Sequence, residues 1–171
     1  MAKKSRKKLA AILIVLVLAL VGAYLYLSIS PAVQKSFIEK PPLEGEVNEQ
    51  HISWIVNEIG AYKLHPSISG EEPEIELVSE GKTYTITTKD GKPVTAAGQA
   101  KNPDIRINAS GSALIKMFTS VDARQEVVNL YNAGEITIEF LKDQATLALK
   151  GYKAIYDAVQ GEDAESVRGR C

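Results

Sequence analysis

Two histidines, His51 and His65, and four closely spaced glutamates, Glu71, Glu72, Glu74 and Glu76, are the residues of this chain best suited to metal or acid–base chemistry. The histidines stand 14 residues apart, with no Cys, Asp or Glu at a spacing that completes a zinc site. Exposed or capping positions are therefore expected for both. The glutamates lack the oxygen-ligand spacing of a calcium loop and read as a solvated strand edge. Ser110-Gly111-Ser112 would turn backbone amides toward an anion at a strand-to-helix junction, although capping the following helix explains the same residues. Asn108-Ala109-Ser110 is an N-glycosylation sequon. Cys171 is the one cysteine, so the chain forms no internal disulfide and reads as held together by packing. No glycine-rich phosphate loop of the usual form exists, and the chain is read as a non-enzyme that needs no cofactor or metal.

The elements around these residues begin with a hydrophobic run. Twenty-one uncharged residues, Leu9 to Ile29, follow the basic cap Lys3, Lys4, Arg6, Lys7 and Lys8. As a helix the run would extend about 31 Å, enough for a bilayer core of about 30 Å. Its seven Leu, three Ile and three Val favour insertion by a sum on the order of 4–8 kcal/mol. The basic cap places the N-terminus in the cytoplasm and the C-terminal domain outside it, with Tyr24 and Tyr26 at the outer interface. A cleavable signal peptide ending at Val21-Gly22-Ala23 is the rival reading, and it exports the remainder as well.

Beyond the cap, 15 Lys plus Arg face 21 Asp plus Glu, a net charge of −6 (20 − 5 = 15; 15 − 21 = −6), which argues against nucleic acid as a partner. The expected organisation is a cap over 1–8, a membrane helix over 9–29, a Pro- and Gly-bearing linker over 30–46, one domain over 47–160 and a tail over 161–171. Within the domain, Ile52, Ile55, Val56 and Ile59 have the spacing of an amphipathic helix that ends near Gly60. Alternation then predicts a meander of four strands: Glu74 to Ser79, Thr83 to Thr88, Val94 to Ala97 and Asp104 to Asn108. Helices are predicted over Ala113 to Phe118 and Val121 to Tyr131, and a fifth strand over Glu135 to Phe140. A last helix runs from Leu141 to Val159, with Ala145, Ala148, Leu149, Tyr152, Ile155 and Val159 as its apolar stripe.

This order of elements, and two stretches of sequence, resemble the sterol carrier protein type 2 family of lipid-binding domains. The first stretch is Pro103-Asp104-Ile105-Arg106-Ile107-Asn108-Ala109-Ser110-Gly111-Ser112-Ala113-Leu114-Ile115-Lys116-Met117-Phe118-Thr119. The second is Leu130-Tyr131-Asn132-Ala133-Gly134-Glu135-Ile136-Thr137-Ile138. The chain departs from the family at Phe140-Leu141-Lys142-Asp143-Gln144, where the family has a glycine, a small polar residue and a Met-rich helix. The resemblance implies an α+β fold, a five-stranded mainly antiparallel sheet covered by helices, with a hydrophobic tunnel for fatty acyl chains or sterols between them.

Apolar residues expected to line such a space are Trp54, Ile105, Leu114, Met117, Phe118, Tyr131, Leu149 and Tyr152, and Phe118 and Tyr131 stand at the positions matching the family's motifs. For each of them taken singly, plain core is the default reading. Two functions stay open. In one, the chain is a single-pass membrane protein whose domain binds or transfers lipid. In the other, it is a non-catalytic scaffold that docks a second protein of the cell envelope. An open apolar cavity of a few hundred Å³ favours the first, and a filled interior with an exposed apolar patch favours the second.

Overall fold

The computed structural model describes residues 35–156 apart from 68 and 154. The hydrophobic run, the last residues of the expected closing helix and the tail lie outside the described residues. Among the described residues no helix is long and apolar enough to cross a membrane.

Helix α1 spans Glu49–Glu58 and starts where Asn48 Oδ1 accepts from the amides of Gln50 and His51, while the His51 ring returns to the Asn48 amide. This capping box satisfies donors that the first helical turn leaves free. Strands β1 (Glu74–Ser79), β2 (Lys82–Lys89) and β3 (Lys92–Ala97) follow, joined by tight turns in which Glu80 and Asp90 take positive φ ahead of a glycine. Next come β4 (Ile105–Ala109), α2 (Gly111–Thr119), α3 (Ala123–Asn132), β5 (Ile136–Phe140) and α4 (Gln144–Leu149). Within the described residues, α1 to α3 and the five strands lie within a few residues of their expected ends, whereas the closing helix does not.

Connectivity differs from the expected four-strand meander. The sheet order is β3-β2-β1-β4-β5, with β4 parallel to β1 and the other three pairings antiparallel. The fold is thus α+β with a mixed sheet. Alternation fixes which face a residue takes but says nothing about which strand lies beside it. The connection from Gly98 to Asp104 carries the chain from the Thr83 end of the sheet back to Glu74, where the Asp104 amide donates to the Glu74 carbonyl at 2.8 Å. Because β1 is thereby central, Glu76 does not lie on a solvated edge: it is buried and bound to Arg106 Nε at 2.6 Å. That hydrogen bond, with the Glu76 charge, raises the Arg106 pKa.

One face of the sheet makes the core. A row across it runs Thr95, Ile86, Ile75, Ile105 and Phe140, and a second joins Tyr84, Leu77, Ile107 and Ile138. Helices α1, α2 and α3 cover these rows with Ile52, Ile55, Val56, Leu114, Met117, Phe118, Val127 and Leu130. Ser110 caps α2, its Oγ accepting from the Ala113 amide at 3.1 Å. Ser110→Ala should lower stability by about 1 kcal/mol, and Ser110→Asn should stay near the parent, both read by urea unfolding.

The closing helix departs most from expectation. Asp143 caps α4, and the Thr146 hydroxyl and amide it binds hold its carboxyl below the usual range. After only six residues the helix ends at Lys150, and Gly151 follows at φ 84°. A new turn starts at Tyr152, whose carbonyl accepts from the Ile155 and Tyr156 amides. The break reassigns the stripe: Leu147, Lys150, Tyr152 and Ile155 are buried, whereas Ala145, Ala148 and Leu149 are exposed. A periodicity extended through Gly151 could not anticipate this change of phase.

Candidate functional site

Among the described residues, two apolar spaces are lined by the segment that follows α4, one through Ile155 and the other through Tyr152 and Tyr156. The inner one, about 30 Å³, is enclosed by α1, the inner sheet face, Leu114, Met117, Val127 and Ile155. That is about the room one water needs, and its lining offers no polar partner to hold one. Among the described residues, this space between sheet and helices is small.

The outer space is a groove of about 390 Å³ between the end of β5 and α4. Phe140, Leu147, Ala148, Tyr152 and Tyr156 supply its apolar walls, and Lys142, Gln144 and Lys153 complete the lining. Its origin is visible in the sheet. Ile136, Ile138 and Phe140 share one face of β5, yet Ile136 is buried, Ile138 is partly covered and Phe140 is 46% exposed. The row of inward side chains thus outruns its helical cover at Phe140. Phe140 and Tyr156 pack ring to ring at 5.8 Å, and Tyr156 remains 44% exposed.

A buried polar hub supports the groove from below. Asp104 is inaccessible to solvent, its Oδ1 accepting from Lys150 Nζ at 2.8 Å and its Oδ2 from Tyr152 OH at 2.9 Å and the Glu74 amide at 3.0 Å. Lys150 also donates to the Glu72 carbonyl at 3.1 Å. Burial, then the Asp104 charge and hydrogen bond, drive the Tyr152 pKa far above its ordinary value, so the phenol stays a donor. Tyr152 is thereby fixed with its ring in the groove wall and its hydroxyl on the hub. All partners of the carboxylate are donors, an arrangement that positions the chain and leaves Asp104 no accessible face for proton transfer.

The residues expected to line a lipid space separate into groups. Leu114 and Met117 line the inner cavity, and Tyr152 lines the groove. Ile105 and Phe118 are buried core, and Trp54 and Tyr131 are partly buried against it. Leu149 is half exposed and lines neither space. Phe118 packs edge to face against Trp54 at 5.2 Å and His51 at 4.8 Å, and Lys40 Nζ lies 4.3 Å from the Trp54 ring. His51 is buried at the capping box, with Nε2 at 3.0 Å from the Pro42 carbonyl, and His65 is exposed. At Ser110-Gly111-Ser112 the Gly111 amide is taken by the Glu80 carboxylate at 3.0 Å, an anion supplied by the chain itself. Sequence reasoning passed over Phe140, Tyr156 and Lys150. Phe140 carried no distinguishing signal, because its exposure depends on β5 being the edge strand and on where α4 ends.

No protein-family model matches the chain, and none of the curated proteins matches it. Among solved structures it is similar to a ubiquinone synthesis protein described as UbiJ-SCP2, with 15% identity over 68% of this chain and 93% of that one and a TM-score of 0.38. It is also similar to Sterol Carrier Protein 2 Like 2 from Aedes aegypti, with 13% identity, coverages of 57% and 91%, and a TM-score of 0.32. A third similarity is to the sec-alkylsulfatase Pisa1 from Pseudomonas sp., at 11% identity and a TM-score of 0.32, covering 50% of this chain and 12% of that enzyme. At these scores neither ligand nor activity passes from those proteins to this one.

Proposed function

We propose that the chain is a membrane-tethered, extracytoplasmic domain that binds an apolar ligand of the acyl-chain type, and that the ligand lies in the groove beside α4. The observation that carries this reading is the 390 Å³ groove with two exposed aromatic rings, a volume within the ordinary range of ligand sites. An apolar tail held there gains about 25 cal/mol for each Å² removed from water, with no catalytic group required. The tether enters through the 21 uncharged residues behind the basic cap, and it would keep the domain at high effective concentration beside its lipid source. The small size of the inner cavity among the described residues favours the scaffold reading instead, with the same aromatic groove receiving an apolar side chain of a second envelope protein.

A diazirine-bearing fatty acid, photolysed with the full chain reconstituted in phosphatidylcholine vesicles, separates the two. Adducts on peptides carrying Phe140, Tyr152 and Tyr156 are expected. Tyr156→Asp should reduce them about tenfold, because a carboxylate in the groove opposes an apolar tail by roughly 1.4 kcal/mol. Adducts confined to 9–29 would remove the lipid reading and leave the scaffold.

A further inference from the structure

The segment ahead of α1 is fastened to the domain. Lys35 Nζ pairs with Glu58 at the end of α1 at 2.5 Å, Ser36 Oγ donates to the Gly91 carbonyl at 2.5 Å, and Asn57 Nδ2, fully buried, donates to the Ser36 carbonyl at 3.0 Å. Between these bonds and Lys40 on Trp54, Phe37 is held 88% exposed. A large ring kept in water by a fixed backbone is available to a partner without further ordering of the chain.

The surroundings of Phe37 are basic. Gly91 is the tip of the β2–β3 hairpin, where Lys89 and Lys92 face each other in register, both exposed. A Cβ placed on Gly91 would lie 3.6 Å from the Tyr62 carbonyl, which brings the neighbouring Lys63 to the same end of the molecule. Lys35, Lys40, Lys63, Lys89 and Lys92 there outnumber Glu39, Glu58 and Asp90, a local +2 (5 − 3) in a chain that is −6 beyond its cap. Position agrees with charge. Phe37 follows Ile29 by eight residues, a reach of at most about 26–29 Å from the end of the uncharged run.

We propose that Phe37 and these lysines form a face that rests on an anionic lipid surface, with the Phe37 ring inserted at the headgroup boundary and the lysines among the headgroups. The inference rests on the tether reading above, because only an anchored chain brings this face to the bilayer. It gives the domain a defined seat on the membrane.

The test uses the full chain, in which Trp54 is the one tryptophan. Trp54→Phe combined with Phe37→Trp moves the indole to the exposed position, and the protein is reconstituted into vesicles of phosphatidylcholine and phosphatidylglycerol with brominated acyl chains. Retention on the vesicles after an alkaline wash, with indole emission quenched about twofold relative to unbrominated vesicles, is the expected result. Lys89→Glu with Lys92→Glu should reduce the quenching. Retention without quenching, including a blue-shifted but unquenched indole covered by protein, overturns the face and leaves the tether standing. Release by the alkaline wash overturns the tether and the face with it.

Discussion

Asp104→Ala is expected to destabilise the domain by about 3–5 kcal/mol, lowering the unfolding temperature by on the order of 10–20 °C. The reason is what the substitution leaves behind. Lys150 is 1% exposed on its side chain, so its ammonium would stay buried with only the Glu72 carbonyl and the more distant, half-exposed Glu71 carboxylate at 3.7 Å. Tyr152 OH and the Glu74 amide would lose their acceptor in the same step. An uncompensated buried charge costs more than a well-formed buried pair contributes, so the loss should be largely recovered by removing both charges. The double variant Asp104→Leu with Lys150→Met is accordingly expected within about 1–2 kcal/mol of the parent. Urea unfolding of the parent, the single variant and the double variant measures the cycle. A single variant within 1 kcal/mol of the parent would show that the hub does not hold the turn, and a double variant as unstable as the single one would show that the orphaned Tyr152 hydroxyl and Glu74 amide, not the buried charge, are the cause.

The same hub marks the limit of what the sequence disclosed. Asp104 stood in the stretch that suggested the fold, and its place before an alternating strand was plain. Its partner Lys150 was not, since a lysine 46 residues away on a predicted helix is ordinarily a solvated residue. Faces were legible because period two and period three-to-four repeats report them directly: Ile105 with Ile107, Ile136 with Ile138, and Ile52 with Ile55 and Val56 all point inward as expected. Adjacency was not, and the parallel β1–β4 pairing needed the seven-residue return that ends at Asp104. Nor was the groove, because it arises from the absence of cover over Phe140. That absence follows from a helix ending three residues before Tyr152, a matter of one glycine. The expected lining residues mostly filled the core, for a physical reason: Leu, Ile, Met and Phe bury equally well against one another or against a ligand. Only the volume left between them distinguishes the two cases.

That glycine supplies the second large effect. Gly151→Ala is expected to cost about 2–5 kcal/mol, the sum of roughly 1–2 for a side chain in a left-handed backbone and 1–3 for overlap in a packed site. Gly151 has φ 84°, and a Cβ there would lie 2.7 Å from the Lys63 carbonyl oxygen and 3.3 Å from His65 Cδ2. A backbone carbonyl cannot swing aside as a flexible side chain does. The strands of chain on either side must part, and the His65 amide then loses its 3.2 Å bond to the Lys150 carbonyl. Gly134→Ala is the internal control, because Gly134 has a similar φ of 71° with nothing within 4 Å of its would-be Cβ. It should show the backbone strain alone. A difference of at least about 1 kcal/mol between the two variants by thermal unfolding locates the excess in the contact with Lys63. Equal losses would mean that the loop yields freely and that α4 is not clamped there. A clamped α4 carries a functional consequence, since Lys150 and Tyr152 flank Gly151 and bind opposite oxygens of one carboxylate. Displacing the turn pulls the Tyr152 ring from the groove wall, so Gly151→Ala should weaken acyl-probe labelling at Tyr156 even at temperatures where the domain remains folded, whereas Gly134→Ala should leave labelling unchanged.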